Sequence, residues 1–375
     1  MHSEVKLVVT DSPIGSSREE GASDCTSSGT RASTCKARKP SGGLFSLRKA
    51  YNNESIELRV TQELHAFIQL VTFYQLSGDR EKRLATCRFI QREICACVGM
   101  KRSRPVAVAY GSFKYGTYLP WAGDLDLVIT DKALLQLPSV LESLAEHFRD
   151  CLAAPPIVVP RARVPFLQLW VLPAAVSDSQ LPSPAKCAVC VATGCVAQCP
   201  AHSPLLVQVS LSGRNHLGLA TSSYATTMIK SFPALRPLTM LLKHTLTCAG
   251  LNSSFNGGMS SHTTLLLVVA YLRHQYQAGP KDVPLGRLAL GLLEWYAREF
   301  DAASTAVTPG EVRVFRSRLP EEATELLIVV DPMDAGQNAA RSLWRWTEVR
   351  AAFEAALEQL VSGRWWPDLV STVEQ

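Results

Sequence analysis

The stretch Tyr110–Thr130 reads YGSFKYGTYLPWAGDLDLVIT. Eleven residues separate Gly111-Ser112 from Asp124-Leu125-Asp126, and the apolar run Leu127-Val128-Ile129 follows at once. That run, with its β-branched residues, reads as a strand. Side chains alternate faces along a strand, so Asp124 and Asp126 project from the same side. Two adjacent carboxylates repel each other and need a cation. Mg²⁺ prefers oxygen ligands and completes its shell with water and substrate phosphates. Upstream, Gly111-Ser112 is expected to open a short helix over Phe113–Tyr118. Backbone N–H groups at such a helix start can hold a phosphate, and glycine allows close approach. A lone Asp-X-Asp is more often a solvated turn. Joined to the Gly-Ser turn, the aromatic helix, the Tyr118-Leu119-Pro120 turn and the strand, it favours a metal and phosphate site.

The chain has 375 residues and is 47% hydrophobic, which allows about two domains with sizeable cores plus tails. No apolar run is long enough to span a bilayer, so no membrane association is expected. Leu7-Val8-Val9 is too short for a secretory signal, and acidic Glu4, Asp11, Glu19 and Glu20 speak against a transit peptide. A soluble intracellular protein is expected. The net charge of +5 allows a polyanionic partner without proving one. Basic residues gather at Lys36, Arg38, Lys39, Arg48 and Lys49, at Lys101, Arg102 and Arg104, and at Arg161 and Arg163. Each group reads equally well as a solvated face. Eleven cysteines, an odd number without a secretory signal, argue against a disulfide framework.

Residues 1–52 are rich in Ser, Gly, Thr and charge and read as a disordered tail. Helices are expected over Ser55–Leu76 and Arg80–Val98, together a helical segment at 53–98 that packs on the later helical domain. Val106–Ala109 reads as a strand, Pro138–Cys151 as a helix, and Ile157–Val159, Phe166–Leu172 and Leu205–Leu211 as strands. These place a mixed-sheet domain at 99–215, with a cysteine-rich insertion at 173–204. Residues 216–375 turn helical, over Tyr224–Phe232, Pro237–Ala249, Ser261–Gln275, Leu285–Phe300 and Ser342–Val361, with Ile328–Val330 a short strand or extended piece. The fold class is α+β: a mixed β-sheet domain with helices, followed by an all-helical domain.

The match to known proteins extends beyond the first block. VPFLQLW at Val164–Trp170, FPALRPLTMLLKHTLTCAGLN at Phe232–Asn252, NGGMSSHTTLLLVVAYL at Asn256–Leu272, PLGRLALGLLEWYAREFD at Pro284–Asp301 and VVDPMDAGQNAARS at Val329–Ser342 follow in order. With Tyr110–Thr130 they resemble noncanonical poly(A) polymerases of the Trf-type (DNA polymerase sigma-like) branch, in the DNA polymerase beta nucleotidyltransferase superfamily. The resemblance covers roughly residues 55–360. It implies a nucleotidyltransferase palm facing a helical, PAP-associated central domain. It also implies ATP, sometimes UTP, and an RNA 3′ end as substrates, Mg²⁺ or Mn²⁺ as cofactor, RNA-processing protein partners, and a role in RNA surveillance in the nucleus, with the cytoplasm as the alternative. By matching position, Asp124 and Asp126 would bind metal, and Gly111, Ser112, Lys243 and Ser261 would hold the triphosphate. His262, Asp331 and Asn338 would contact the base. Without the resemblance, Lys243 reads as an exposed helix lysine, Ser261 as an N-cap, and Asp331-Pro332 as a structural turn.

The chain departs from the family pattern in four places. The third carboxylate, expected in a strand like Val-Asp-Ile-Ser-Phe, is replaced by Gln208 in Val207-Gln208-Val209-Ser210-Leu211. An amide oxygen can ligate Mg²⁺ but cannot accept the hydroxyl proton. Asp178 does not fit the strand pattern as a substitute. His262 stands where the family has a stacking Tyr, and Val330 where an acidic residue commonly precedes Asp-Pro. The insertion carries Cys187-x2-Cys190-x4-Cys195-x3-Cys199 with His202 close behind. Four thiolates at such spacing can surround Zn²⁺; the other reading is a cysteine-rich loop.

Overall fold

The computed structural model describes residues 53–97, 106–130, 139–162, 164–176, 187, 190, 199–211, 216–278, 282–303, 305–308, 314–315 and 327–365. The expected tail at 1–52, Cys195 and Asp178 lie outside the described residues. Asn53 caps helix α1 (Glu54–Tyr74), its Oδ1 accepting the Ser55 N–H at 3.0 Å. Val60, Leu64, Phe67 and Val71 form the buried stripe of α1, with the spacing of one helix face. The helix then breaks at Gln75–Asp79, where Ser77 and Gly78 leave helical geometry. Gly78 takes φ 117°, a conformation open to glycine and costly for other residues. Helix α2 (Arg80–Cys97) leaves in a new direction.

Strands β1 (Ala107–Tyr110), β2 (Leu125–Ile129), β3 (Ile157–Val159), β4 (Phe166–Val171) and β5 (Leu205–Leu211) form a mixed five-stranded sheet in the order β1-β2-β5-β4-β3. The central pair, β2 and β5, is parallel, and the other pairs are antiparallel. Alternate residues Leu125, Leu127, Ile129, Leu167, Leu169, Val207 and Val209 bury one sheet face against α2 and helix α4 (Val140–Phe148). The residues between them, which include Asp126 and Gln208, therefore belong to the opposite face. The two early helices part company. Helix α1 joins the later helices, whereas α2, expected beside it, packs through Phe89, Ile90 and Ile94 in the sheet's core. The break at Gly78 makes that division sterically feasible.

A second core gathers α1 with α5 (Gly218–Ser231), α6 (Leu235–Cys248), α7 (Ser261–Ala278), α8 (Leu285–Glu294) and α9 (Trp346–Ser362). This region is helical in the main, but it also carries a small sheet, of which the sequence reading anticipated only Ile328–Val330. Strands β6 (Thr305–Val307), β7 (Val314–Phe315), β8 (Ile328–Asp331) and β9 (Asp334–Asn338) pair in the order β7-β6-β8-β9. Two boundaries also moved. Helix α5 starts at Gly218 rather than Tyr224, and α9 starts at Trp346 rather than Ser342. Before α9, the Arg345 N–H bonds the Gly257 carbonyl at 3.1 Å instead of a helical partner.

Candidate active site

The short helix α3 begins at Gly111 itself and spans Gly111–Tyr115, shifted back from the expected Phe113–Tyr118. Gly116, in the left-handed region, closes it. Gly111 has φ +70°, and a Cβ placed there would lie 2.2 Å from Asp126 Oδ2. Only a glycine lets the turn and the carboxylate approach so closely. The Gly111 N–H, expected to face a phosphate, instead donates to Ser222 Oγ of α5 at 2.8 Å. Ser112 is the polar group left over: it is buried, and its Oγ has no hydrogen-bond partner. A buried orphan hydroxyl beside two carboxylates is costly unless a ligand or water satisfies it.

Asp126 on β2 lies in register with Gln208 on β5, which in turn lies opposite Gln168 on β4; Tyr110 of β1 completes the row. Asp124 stands two residues before Asp126, immediately ahead of β2. Burial and the neighbouring Asp124 charge push the Asp126 carboxyl well above its ordinary range, opposed by Lys243 and Arg83. Lys243, on α6, is itself buried, which lowers its ammonium to about 8 although both carboxylates draw it upward. The helical region thus delivers a positive group to the acid pair. Lys243 is not the exposed helix lysine of the bland reading.

Gln208 Nε2 donates to Asp124 Oδ2 at 2.8 Å. The amide therefore presents its N–H side to the first aspartate, where the family pattern expects a carboxylate. His262 Nε2 lies 3.2 Å from Asp331 Oδ2, which links the start of α7 to the β8–β9 hairpin. Asp331 Oδ1 also accepts the Met333 N–H at 2.8 Å. Asn338 is committed to backbone: Oδ1 accepts from Val329 and Ala340, and Nδ2 donates to the Leu327 carbonyl. Ser261 is the first helical residue of α7, and the capping belongs to Ser260, whose Oγ accepts the Thr263 N–H at 3.1 Å.

Two site residues, Arg83 and Ser222, escaped the sequence reading. Arg83 is fully buried, and its Nε donates to Asp79 Oδ2 at 2.8 Å. Its two Nη groups donate to the carbonyls of Asp124 at 2.9 Å and Gly123 at 2.8 Å. The guanidinium also sits over the Tyr118 ring at 4.4 Å. Arg83 therefore holds the backbone that carries Asp124. The signal was present: Arg83 shares the inward stripe of α2 with Ile90 and Ile94, and a charge on such a stripe implies a buried partner. Ser222 gave no signal beyond a hydroxyl on a polar helix.

The residues fit a divalent cation at the acid pair. Two carboxylates share one face, one of them is destabilised as an anion by burial and by the other, and an orphan hydroxyl stands at the adjoining turn. A cation there would relieve the repulsion.

No protein-family model matches the chain. Among curated proteins it is similar to poly(A) RNA polymerase Cid14 of Schizosaccharomyces pombe, 28% identical over 266 residues, which cover 68% of this chain and 34% of that protein. The chain is thus similar to noncanonical poly(A) RNA polymerases. It is also similar to the inactive non-canonical poly(A) RNA polymerase protein Trf4-2 of Drosophila melanogaster, 29% identical over 154 residues, 38% of each chain. The polymerase core of TRAMP, a RNA surveillance complex, shares the fold with TM-score 0.63 at 22% identity, over 84% of this chain and 90% of that one. The mixed sheet with a helical central region is thus a fold that the chain shares with that polymerase core. The chain spans about a third of the length of the curated relatives it matches. Among the described residues, no helix is long and apolar enough to cross a membrane.

Proposed function

We propose that this chain is a template-independent RNA nucleotidyltransferase that adds adenylates to RNA 3′ ends. The observation that carries the reading is the convergence of Asp124 and Asp126 with the Gly111-Ser112 turn and the buried Lys243. Asp124 and Asp126 would hold Mg²⁺ or Mn²⁺, which supplies charge stabilisation at the attacking and leaving oxygens when bound. The chain's own part is positioning and electrostatics. Ser112 Oγ and the Lys243 ammonium grip the triphosphate of ATP, and the low-dielectric cleft strengthens that attraction. The His262–Asp331 pair sets the hairpin that faces the base, with Asn338 holding the hairpin's backbone and Ser261 at the start of α7 beside it. RNA-processing protein partners fit the name of the RNA surveillance complex whose polymerase core shares the fold, and a nuclear place is part of the same proposal. The cysteine-rich insertion adds, on this reading, one structural Zn²⁺ that takes no part in the reaction.

A second reading has its own observation. The Gln208 amide bonds Asp124 and removes the third carboxylate, and general-base help is worth about 10²–10⁴-fold. The chain would then be a weak or inactive paralogue that binds RNA as a scaffold subunit, and one relative is named inactive. Purified protein with labelled oligo(A), each of the four nucleotides and Mg²⁺ or Mn²⁺ separates the two. Extension by the native chain that Asp124→Ala abolishes supports the enzyme. No extension by the native chain, with extension appearing in Gln208→Asp, rejects an active native enzyme and supports the scaffold.

A further inference from the structure

The insertion brings Cys187, Cys190, Cys199 and His202 together at the joint between α1 and α2. One ligand atom from each lies within 4.8 Å of all the others. The Cys187 and Cys199 sulfurs are 3.6 Å apart. A tetrahedral site with Zn–S bonds of about 2.3 Å has edges of about 3.8 Å, so the spacing is that of ligands around a metal. All three cysteines are buried, and they form a small core of their own with Tyr74 beside it. His202 Nε2 is buried with no hydrogen-bond partner, as a ring nitrogen is when its partner is a metal. A tight turn returns the imidazole to the cysteines: the Cys199 carbonyl accepts from the N–H groups of His202 at 2.9 Å and Ser203 at 3.0 Å.

We infer that Cys187, Cys190, Cys199 and His202 form a Cys₃His zinc site that clasps the insertion to the α1–α2 joint. This rests on the proposal that the insertion holds zinc, and it replaces the four-cysteine set with one in which His202 stands in for Cys195. Binding converts three thiols to thiolates and releases their protons, so the loaded site carries one net negative charge. The buried Lys82 supplies a neighbouring positive charge, and its Nζ also donates to the carbonyls of Pro200 and Ser203 in the same turn. Cys187 Sγ lies 3.5 Å from the Ser77 carbonyl, within the non-helical joint. Further along α2, Arg83, braced by Asp79, donates to the Gly123 and Asp124 carbonyls. The clasp therefore pins the joint from which Arg83 reaches the catalytic strand.

The test uses the full chain purified without chelator. Zinc content is measured by mass spectrometry and the metal shell by X-ray absorption at the zinc edge. The expected result is one zinc per chain, with three sulfurs near 2.3 Å and one nitrogen near 2.0–2.1 Å. Cys195→Ser keeps both the stoichiometry and the spectrum. His202→Ala loses stoichiometric zinc, and His202→Cys regains it with four sulfurs. Amide exchange in residues 74–83 quickens when zinc is stripped from the native chain. A native shell of four sulfurs that Cys195→Ser abolishes would overturn the ligand assignment while leaving zinc in the insertion. Unchanged exchange in residues 74–83 after stripping would overturn the clasp. Zinc absent from the native chain would end both this assignment and the zinc proposal without touching the polymerase reading.

Discussion

Replacing Gln208 by aspartate tests how the site is wired. Gln208 Nε2 donates to Asp124 Oδ2 at 2.8 Å, and the residue lies in register with Asp126. Gln208→Asp removes that donor and sets a third carboxylate beside two others. Without metal, the added repulsion is worth about 1–4 kcal/mol, taking about 4 kcal/mol as the value for charges about 4 Å apart at an effective dielectric constant of about 20. The metal-free variant should therefore melt below the native chain. Saturating Mg²⁺ should recover more stability in the variant than in the native chain, because the cation binds the three-acid site more tightly. For catalysis, a restored base is worth about 10²–10⁴-fold, equivalent to about 3–5 kcal/mol of barrier. Oligo(A) extension with ATP and Mg²⁺ should rise by that factor over the native rate. Equal rates, together with equal Mg²⁺-induced shifts in melting, would refute the assignment of Gln208 to the third-acid position.

Gly111→Ala should cost about 1–2 kcal/mol from the left-handed backbone alone and push Asp126 aside, since its Cβ would lie 2.2 Å from Oδ2; a retained Mg²⁺-dependent melting shift would contradict this. Arg83→Met leaves the buried Asp79 carboxylate with Lys82 at 3.7 Å as its remaining cation and frees the Gly123 and Asp124 carbonyls, so denaturant unfolding should show a loss of up to about 3–5 kcal/mol. His244 is buried among Phe67, Trp121 and Trp365, and burial lowers its imidazole to about 4 from 6.5. The unfolded chain then binds the extra proton first as pH falls from 6.5 to 4. About 3 kcal/mol of stability present at neutral pH is lost over that window, and His244→Leu should flatten that part of the profile in urea melts.

How much of this was legible before the structure depends on the kind of signal. The acid pair and its strand were readable because period-two geometry fixes which side chains share a face, and β2 follows it; the Gly111-Ser112 turn stands beside them, but its Gly111 N–H goes to Ser222. Gln208 was found by its place in a strand pattern, but its hydrogen bond to Asp124 needed the register between two parallel strands far apart in sequence. Helix α2 carries an apolar stripe that suits either core, so only the break at Gly78 decides that it serves the sheet. Strand β9 reads Asp-Ala-Gly-Gln-Asn, with no alternation of polarity, and it forms because β8 offers it a partner. His202 stood near the cysteines in sequence, yet its part in the cluster depends on the turn at Cys199–Ser203.

The central claim is that Asp124 and Asp126, beside the Gly111-Ser112 turn, gather a divalent cation and a triphosphate. The most direct measurement is a crystal structure of the full chain with ATP and Mn²⁺, with the metal located by its anomalous scattering. Density for Mn²⁺ between the two carboxylates, with phosphate against Ser112 and Lys243, is the predicted result. Manganese or triphosphate bound elsewhere, with those carboxylates empty, would contradict it.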